Sequence, residues 1–272
     1  MTKFAKGALV ASAMALSFVG VASAQLTDAE FKCQVSTSKA GVKFVAGKTG
    51  CASKCFAAQW KVAGSFTDCM PPYGGTAATC ILDPAKGQEA KFSGAILKAC
   101  DPATKAGTDC PDCSDYNNGD CSLAGAATDK QQGIEAQIDL FGPIVFCETT
   151  GAAANEQKCM LGAAKALTKF VGAVTKCYDK CNAAIRKGAI PAGSCNPPTP
   201  SDAATITCVN TANTKGVAAV NKPCLDAASI PNGAGCGAYN PNGSTLVGLV
   251  GSAIAGTVPT TYCASPSGAF MD

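Results

Sequence analysis

From Phe31 to Val62 the apolar and small residues return at helical spacing, and the polar positions between them are dominated by lysine. With successive residues turned by about 100°, Cys33, Phe44, Cys51 and Cys55 fall within about 40° of one another, one stripe fit for burial. Thr27-Asp28-Ala29-Glu30 supplies a capping box, with Thr27 at the N-cap and Glu30 at N3. The pattern predicts one long helix starting just before Phe31, running to about Val62 and stopping at Gly64, a typical C-cap residue. Met70-Pro71-Pro72-Tyr73-Gly74-Gly75 reads as a turn, and Asp83-Pro84 as an N-cap followed by proline at N1. A second helix is predicted from there to Lys98, just before Cys100, folding back on the first as a hairpin about residues 65 to 68. A third apolar segment, Thr128 to Phe141, carries Ile134, Ile138 and Phe141 at helical spacing and ends at Gly142-Pro143. Leu246 to Ala255 is a second such segment, all apolar, Gly or Ser, as suits a more buried or partner-facing helix.

The long helical pattern occurs twice. Lys32 to Lys61 aligns without a gap on Lys158 to Lys187, and 14 of the 30 positions are identical, including three cysteines and five lysines. Cys195 then matches Cys69, and Pro197-Pro198 matches Pro71-Pro72. The reading is all-α: two tandem disulfide-stapled helical-hairpin domains, residues 25–150 and 151–272. Each has a third short helix and a Cys/Asn/Gly loop. The boundary is set at Gly151 to Ala154, ahead of an Asn155 cap.

Eighteen cysteines in one chain indicate a disulfide framework. Cysteines spaced along one straight helix cannot bond one another, so those of the long helix must reach an antiparallel partner. Nesting about the hairpin pairs Cys33 with Cys100, Cys51 with Cys80 and Cys55 with Cys69. Exchanging the last two partners fits the sequence nearly as well. The second copy offers Cys159 with Cys224, Cys177 with Cys208 and Cys181 with Cys195. If each unit is self-sufficient, Cys113 pairs with Cys147 and Cys236 with Cys263. Cys110 and Cys121 lack counterparts and are assigned to each other.

Composition narrows the setting. Lys3 and Lys6 precede an apolar run, Gly7 to Val21, and Ala22-Ser23-Ala24 forms an A-x-A site before Gln25, so residues 1–24 read as a bacterial-style signal peptide. Nothing after it is apolar for long enough to span a membrane. Removing the leader lowers the net charge from +3 to +1, which argues against nucleic acid as a partner. The chain contains no histidine. That excludes C-x-x-C-H haem attachment, Cys/His zinc sites and histidine-based triads.

Three features invite a chemical reading. Cys110-Pro111-Asp112-Cys113 has the spacing of a thiol oxidoreductase, but it sits in a Pro/Asp/Asn/Gly loop rather than at a helix start, which favours a structural bond. Asp112, Asp115, Asn117, Asn118 and Asp120 form an oxygen-rich loop without the glycine and glutamate positions of a calcium-binding loop, so no metal or cofactor is assigned. The lysines are the remaining candidate. Lys32, Lys39, Lys43, Lys54 and Lys61 fall on one side of the cysteine stripe, and Lys158, Lys165, Lys169, Lys180 and Lys187 repeat them. They form either a solvated helix face or a docking stripe for anionic envelope polymer, lipid headgroups or another subunit, including a second copy. Lysine stems could also cover the apolar seam.

The shared pattern, Lys-Cys, Lys-Ala, Lys-Phe-Val, Cys and Lys-Cys in order, resembles cysteine-rich helical repeat proteins exported by bacteria. The likeness covers about thirty residues per copy and implies no activity. Eight cysteines per unit also suggest plant lipid-transfer proteins and seed albumins, but the Cys-Cys and Cys-x-Cys of those families are missing. The function expected is a secreted, non-catalytic structural or adhesive component of the envelope or matrix, whether extracellular, periplasmic or on the outer surface. Its alternatives are a carrier of small apolar ligands or lipids and, third, a thiol-disulfide redox protein.

Overall fold

A computed structural model describes residues 26–62, 66–100, 133–135, 139, 144–146, 152–224 and 243–262. Among these, every regular element is helical. Helix α1 spans Asp28–Val62. Its start is the capping box read from the sequence: the Thr27 N–H donates to Glu30 Oε2 (2.5 Å) and the Glu30 N–H to Thr27 Oγ1 (3.2 Å). A 3-10 turn at Thr67–Cys69 leads into α2, Gly75–Leu82, and α3, Gln88–Ala99.

The second helix predicted from Asp83 to Lys98 is corrected in one respect. Asp83 does cap a turn, its Oδ1 accepting from the Ala85 and Lys86 N–H groups, but that turn ends at Gly87 and α3 starts only at Gln88. A Cβ at Gly87 would lie 2.4 Å from the Ile81 carbonyl oxygen and 2.6 Å from that of Asp83. Only glycine lets the chain fold back so tightly against the end of α2.

In the second half, α4 spans Ala154–Arg186 and α5 Ala203–Asn221, followed by a 3-10 turn at Lys222–Cys224. The N-cap of α4 is Ala153 rather than Asn155; the Glu156 carboxylate accepts from the Ala153 N–H at 2.7 Å. Asp202 caps α5 through the Thr205 N–H (2.8 Å) and hydroxyl (2.7 Å). Helix α6 runs over Gly243–Thr261, longer at both ends than the apolar stretch 246–255, and Asn221 Oδ1 accepts from the Gly243 N–H at its start. The expected helix 128–141 lies largely outside the described residues; within it, 133–135 are helical.

The two halves carry matching staples. Cys33–Cys100, Cys51–Cys80 and Cys55–Cys69 bridge 67, 29 and 14 residues. Cys159–Cys224, Cys177–Cys208 and Cys181–Cys195 bridge 65, 31 and 14. This is the nested order, not the exchanged one. Pro71–Pro72 and Pro197–Pro198 are both cis. Among the described residues no cysteine is free. Cys110, Cys113, Cys121, Cys147, Cys236 and Cys263 lie outside them.

Helices α1 and α4 pack antiparallel. Arg186, at the end of α4, donates to the Leu26 carbonyl (2.6 Å), pairs with Asp28 and lies over the Phe31 ring, all at the start of α1. Midway, Ser38 donates to Asp179 Oδ1 (2.6 Å), which also accepts from the Tyr262 hydroxyl just after α6. Phe44, Val45 and Phe56 of α1, Leu167, Phe170 and Val171 of α4, and Val250 and Ile254 of α6 belong to one continuous buried cluster. The hairpin units therefore share a core, and burial of this apolar surface is the main force joining them.

Candidate anion-binding groove

The site begins with an aromatic pair. Phe44 on α1 and Phe92 on α3 stack with centroids 4.8 Å apart and planes 5° from parallel, and each is only 2% exposed. The helices run antiparallel, with Cys33–Cys100 at one end and Gln88 lying over Gly47 at the other. Above the rings, α1 and α3 enclose a groove of about 560 Å³. Lys32, Lys39 and Lys43 line one side and Lys91 and Lys98 the other; among the described residues no acidic side chain lines it.

All ten lysines of the two stripes are exposed, and among the described residues none of them pairs with a carboxylate. Lys54 and Lys61 lie on α1 beyond the groove. Lys158, Lys165, Lys169, Lys180 and Lys187 occupy the equivalent places on α4. Sequence reasoning found the α1 lysines but missed Lys91 and Lys98. These sit seven residues apart on a helix without a periodic repeat in the second half, so only the fold brings them opposite α1.

A second polar cluster lies beneath. Lys48 is buried, its side chain 3% exposed, and its Nζ pairs with Glu135 and with Asp139 Oδ1 (2.5 Å). The rings of Phe44 and Tyr73 flank the ammonium at 5.4 and 5.1 Å, and the Tyr73 hydroxyl donates to Asp139. Glu89 of α3 joins through Glu135. Burial, then the hydrogen bond to Glu135 and that group's negative charge, push the Glu89 carboxyl up to about 7. Burial, with the charges of Asp139 and Glu135, pushes the Tyr73 phenol well above its ordinary range. The aligned residue on α4 is Val174, buried in the core, so the repeat alone gives no hint of this cluster.

Elsewhere, the cavity walled by Val45 of α1, Val171 and Tyr178 of α4 and Val258 and Tyr262 has a volume of about 30 Å³, room for about one water molecule. Among the described residues no group of three or more His, Cys, Asp or Glu side chains is placed to hold a metal ion. The Cys110/Cys113 pair and the Asp112 to Asp120 loop lie outside them. No described helix is long and apolar enough to cross a membrane, and the disulfides suit an oxidising compartment. No protein-family model matches the chain, and no curated protein or solved structure is significantly similar to it.

Proposed function

We propose that the protein is a secreted, non-catalytic structural or adhesive component of the cell envelope or extracellular matrix, which docks onto anionic polymer through its lysine faces. It is built from two tandem hairpin units, 25–150 and 151–272, after loss of the leader 1–24. The observation that carries this reading is the exposed, unneutralised lysine surface on a near-neutral protein. Charge held on a rigid helix face without acidic partners is available to an outside anion. The stapled, small-residue scaffold suits a component that must persist outside the cell. The carrier alternative would seat an apolar ligand between the helices of each hairpin; in the first, the α1–α3 groove is rimmed by lysines and open to solvent, which suits an anion better than an acyl chain.

The test is retention. Purified mature protein mixed with cell envelopes from its source should sediment with them at low salt and be released as salt rises. Protein that stays monomeric and binds no envelope fraction overturns the proposal.

A further inference from the structure

We infer that Lys48 and Asp139 become joined by an amide bond that the folded chain makes by itself, with Glu135 carrying the protons. Lys48 Nζ lies 2.5 Å from Asp139 Oδ1 and also pairs with Glu135. With a carbon–oxygen bond of about 1.23 Å, Asp139 Cγ is no more than about 3.7 Å from the nitrogen, close to the separation of about 3–3.5 Å at which held groups react. The Lys48 side chain is 3% exposed, and its ammonium lies over the Phe44 and Tyr73 rings. Keeping each ion of such a pair out of water is costly, whereas an amide with its water released carries neither charge. Fixing the two groups in one place also replaces the dilute encounter that makes the same condensation unfavourable in solution. Packing does not require a lysine here, since the aligned residue of α4, Val174, is a buried apolar side chain.

Glu135 takes a proton from the ammonium, leaving an amine whose lone pair attacks Asp139 Cγ. The Tyr73 hydroxyl donates to Asp139 Oδ1 at 3.4 Å, where negative charge gathers in the tetrahedral intermediate, and burial keeps that phenol protonated. Glu135 passes its proton to Oδ2, a second proton from the nitrogen follows by the same route, the Cγ–Oδ2 bond breaks and water leaves. Ammonium and carboxylate thus become amide and water; Glu135 is restored, and no oxidant or cofactor is consumed. Glu135 also touches Lys48, but Glu89 of α3 hydrogen-bonds to it, while Asp139 has Tyr73 on the oxygen that takes the charge. The Glu89 carboxyl, pushed up to about 7 by burial and then by Glu135, holds a proton beside the shuttle. Asp139 is the more exposed acid, 31% against 18% for Glu135, which gives the water a way out. Chain that has not reacted is held by the ion pair alone. The bond ties residue 139 to α1 by a link that no reductant opens, whatever the lysine faces bind.

The experiment is mass spectrometry of the full mature protein, reduced and denatured. The wild type should be lighter than its reduced sequence by one water molecule. Trypsin should release a branched peptide joining residues 44–54, uncut at Lys48, to residues 131–158, and its fragments should place the bond at Asp139. Lys48→Arg and Asp139→Ala should have full mass. Asp139→Asn should lose one ammonia in place of water, because the same attack then expels the amide nitrogen. Glu135→Gln should slow bond formation about a hundredfold, followed as the linked fraction in freshly made protein. Wild type at full mass, with Cys33–Cys100 and Cys51–Cys80 correctly mapped, overturns the bond. So does a lost water without the branched peptide. A branch at Glu135 overturns the assignment of Asp139, and unchanged kinetics in Glu135→Gln overturn the proton carrier.

Discussion

Lys48 is the residue at which the two halves part most sharply. Burying an ammonium costs several kcal/mol unless carboxylates repay it, and an apolar residue often serves as well. Val174 fills the matching place in the other half. Lys48→Met would leave Glu135 and Asp139 without their cation. The expected loss at pH 8 is about 2–3 kcal/mol by urea unfolding, below the range for fully buried pairs because Asp139 is partly exposed. Glu89 makes a separate prediction. Its carboxyl is raised from 4.5 to about 7 in the folded protein, so the folded state binds the extra proton between those values. The stability it lends is full below about pH 4.5 and is lost as pH rises through 7. Wild-type Tm should therefore fall between pH 5 and pH 8 by a few degrees relative to Glu89→Gln, which cannot titrate. A parallel pH profile in the two proteins would show that Glu89 is not buried against Glu135. None of this cluster was legible in the sequence, because its members come from α1, the turn at Tyr73, α3 and residues 135 and 139.

At the scale of elements, periodicity and caps carried the reading. Thr27 and Glu30 fixed the start of α1 because a capping box is local, needing only residues three apart. The start of α3 was misjudged because Asp83-Pro84 satisfies the same local rules for a single turn. What ends that turn is the close approach at Gly87, a contact with the end of α2. The disulfides join elements, and their removal has a local prediction. Replacing Cys33 and Cys100 together by serine frees a 67-residue loop and should cost about 4 kcal/mol by chain entropy. Phe92→Ala should cost about 3 kcal/mol in chemical denaturation, since it removes a buried ring and its stack on Phe44.

For the whole molecule, the continuous core across α1, α4 and α6 carries the consequence. Residues of both hairpin units belong to one buried cluster, tied at Ser38, Asp179 and Tyr262 and at Arg186 with Asp28. Calorimetry should accordingly give a single unfolding transition whose calorimetric and van't Hoff enthalpies agree. Two resolved transitions, with the halves melting separately, would contradict a shared core.

What the sequence determined by itself was whatever depends on neighbours along the chain: helix phase, the caps, the lysine stripes and, through the two copies, which cysteines belong to each hairpin. Pairing Cys51 with Cys80 rather than Cys69 was undecided at that level, because both partners lie within reach of the helix end; the folded hairpin decides it. The tertiary structure alone decided that Phe44 meets Phe92 while Phe170 meets Gly216, and that Lys91 and Lys98 of α3 face the α1 stripe across a groove. Those pairings depend on which helices pack together and on the side chains where they cross, and no periodicity within either helix records them.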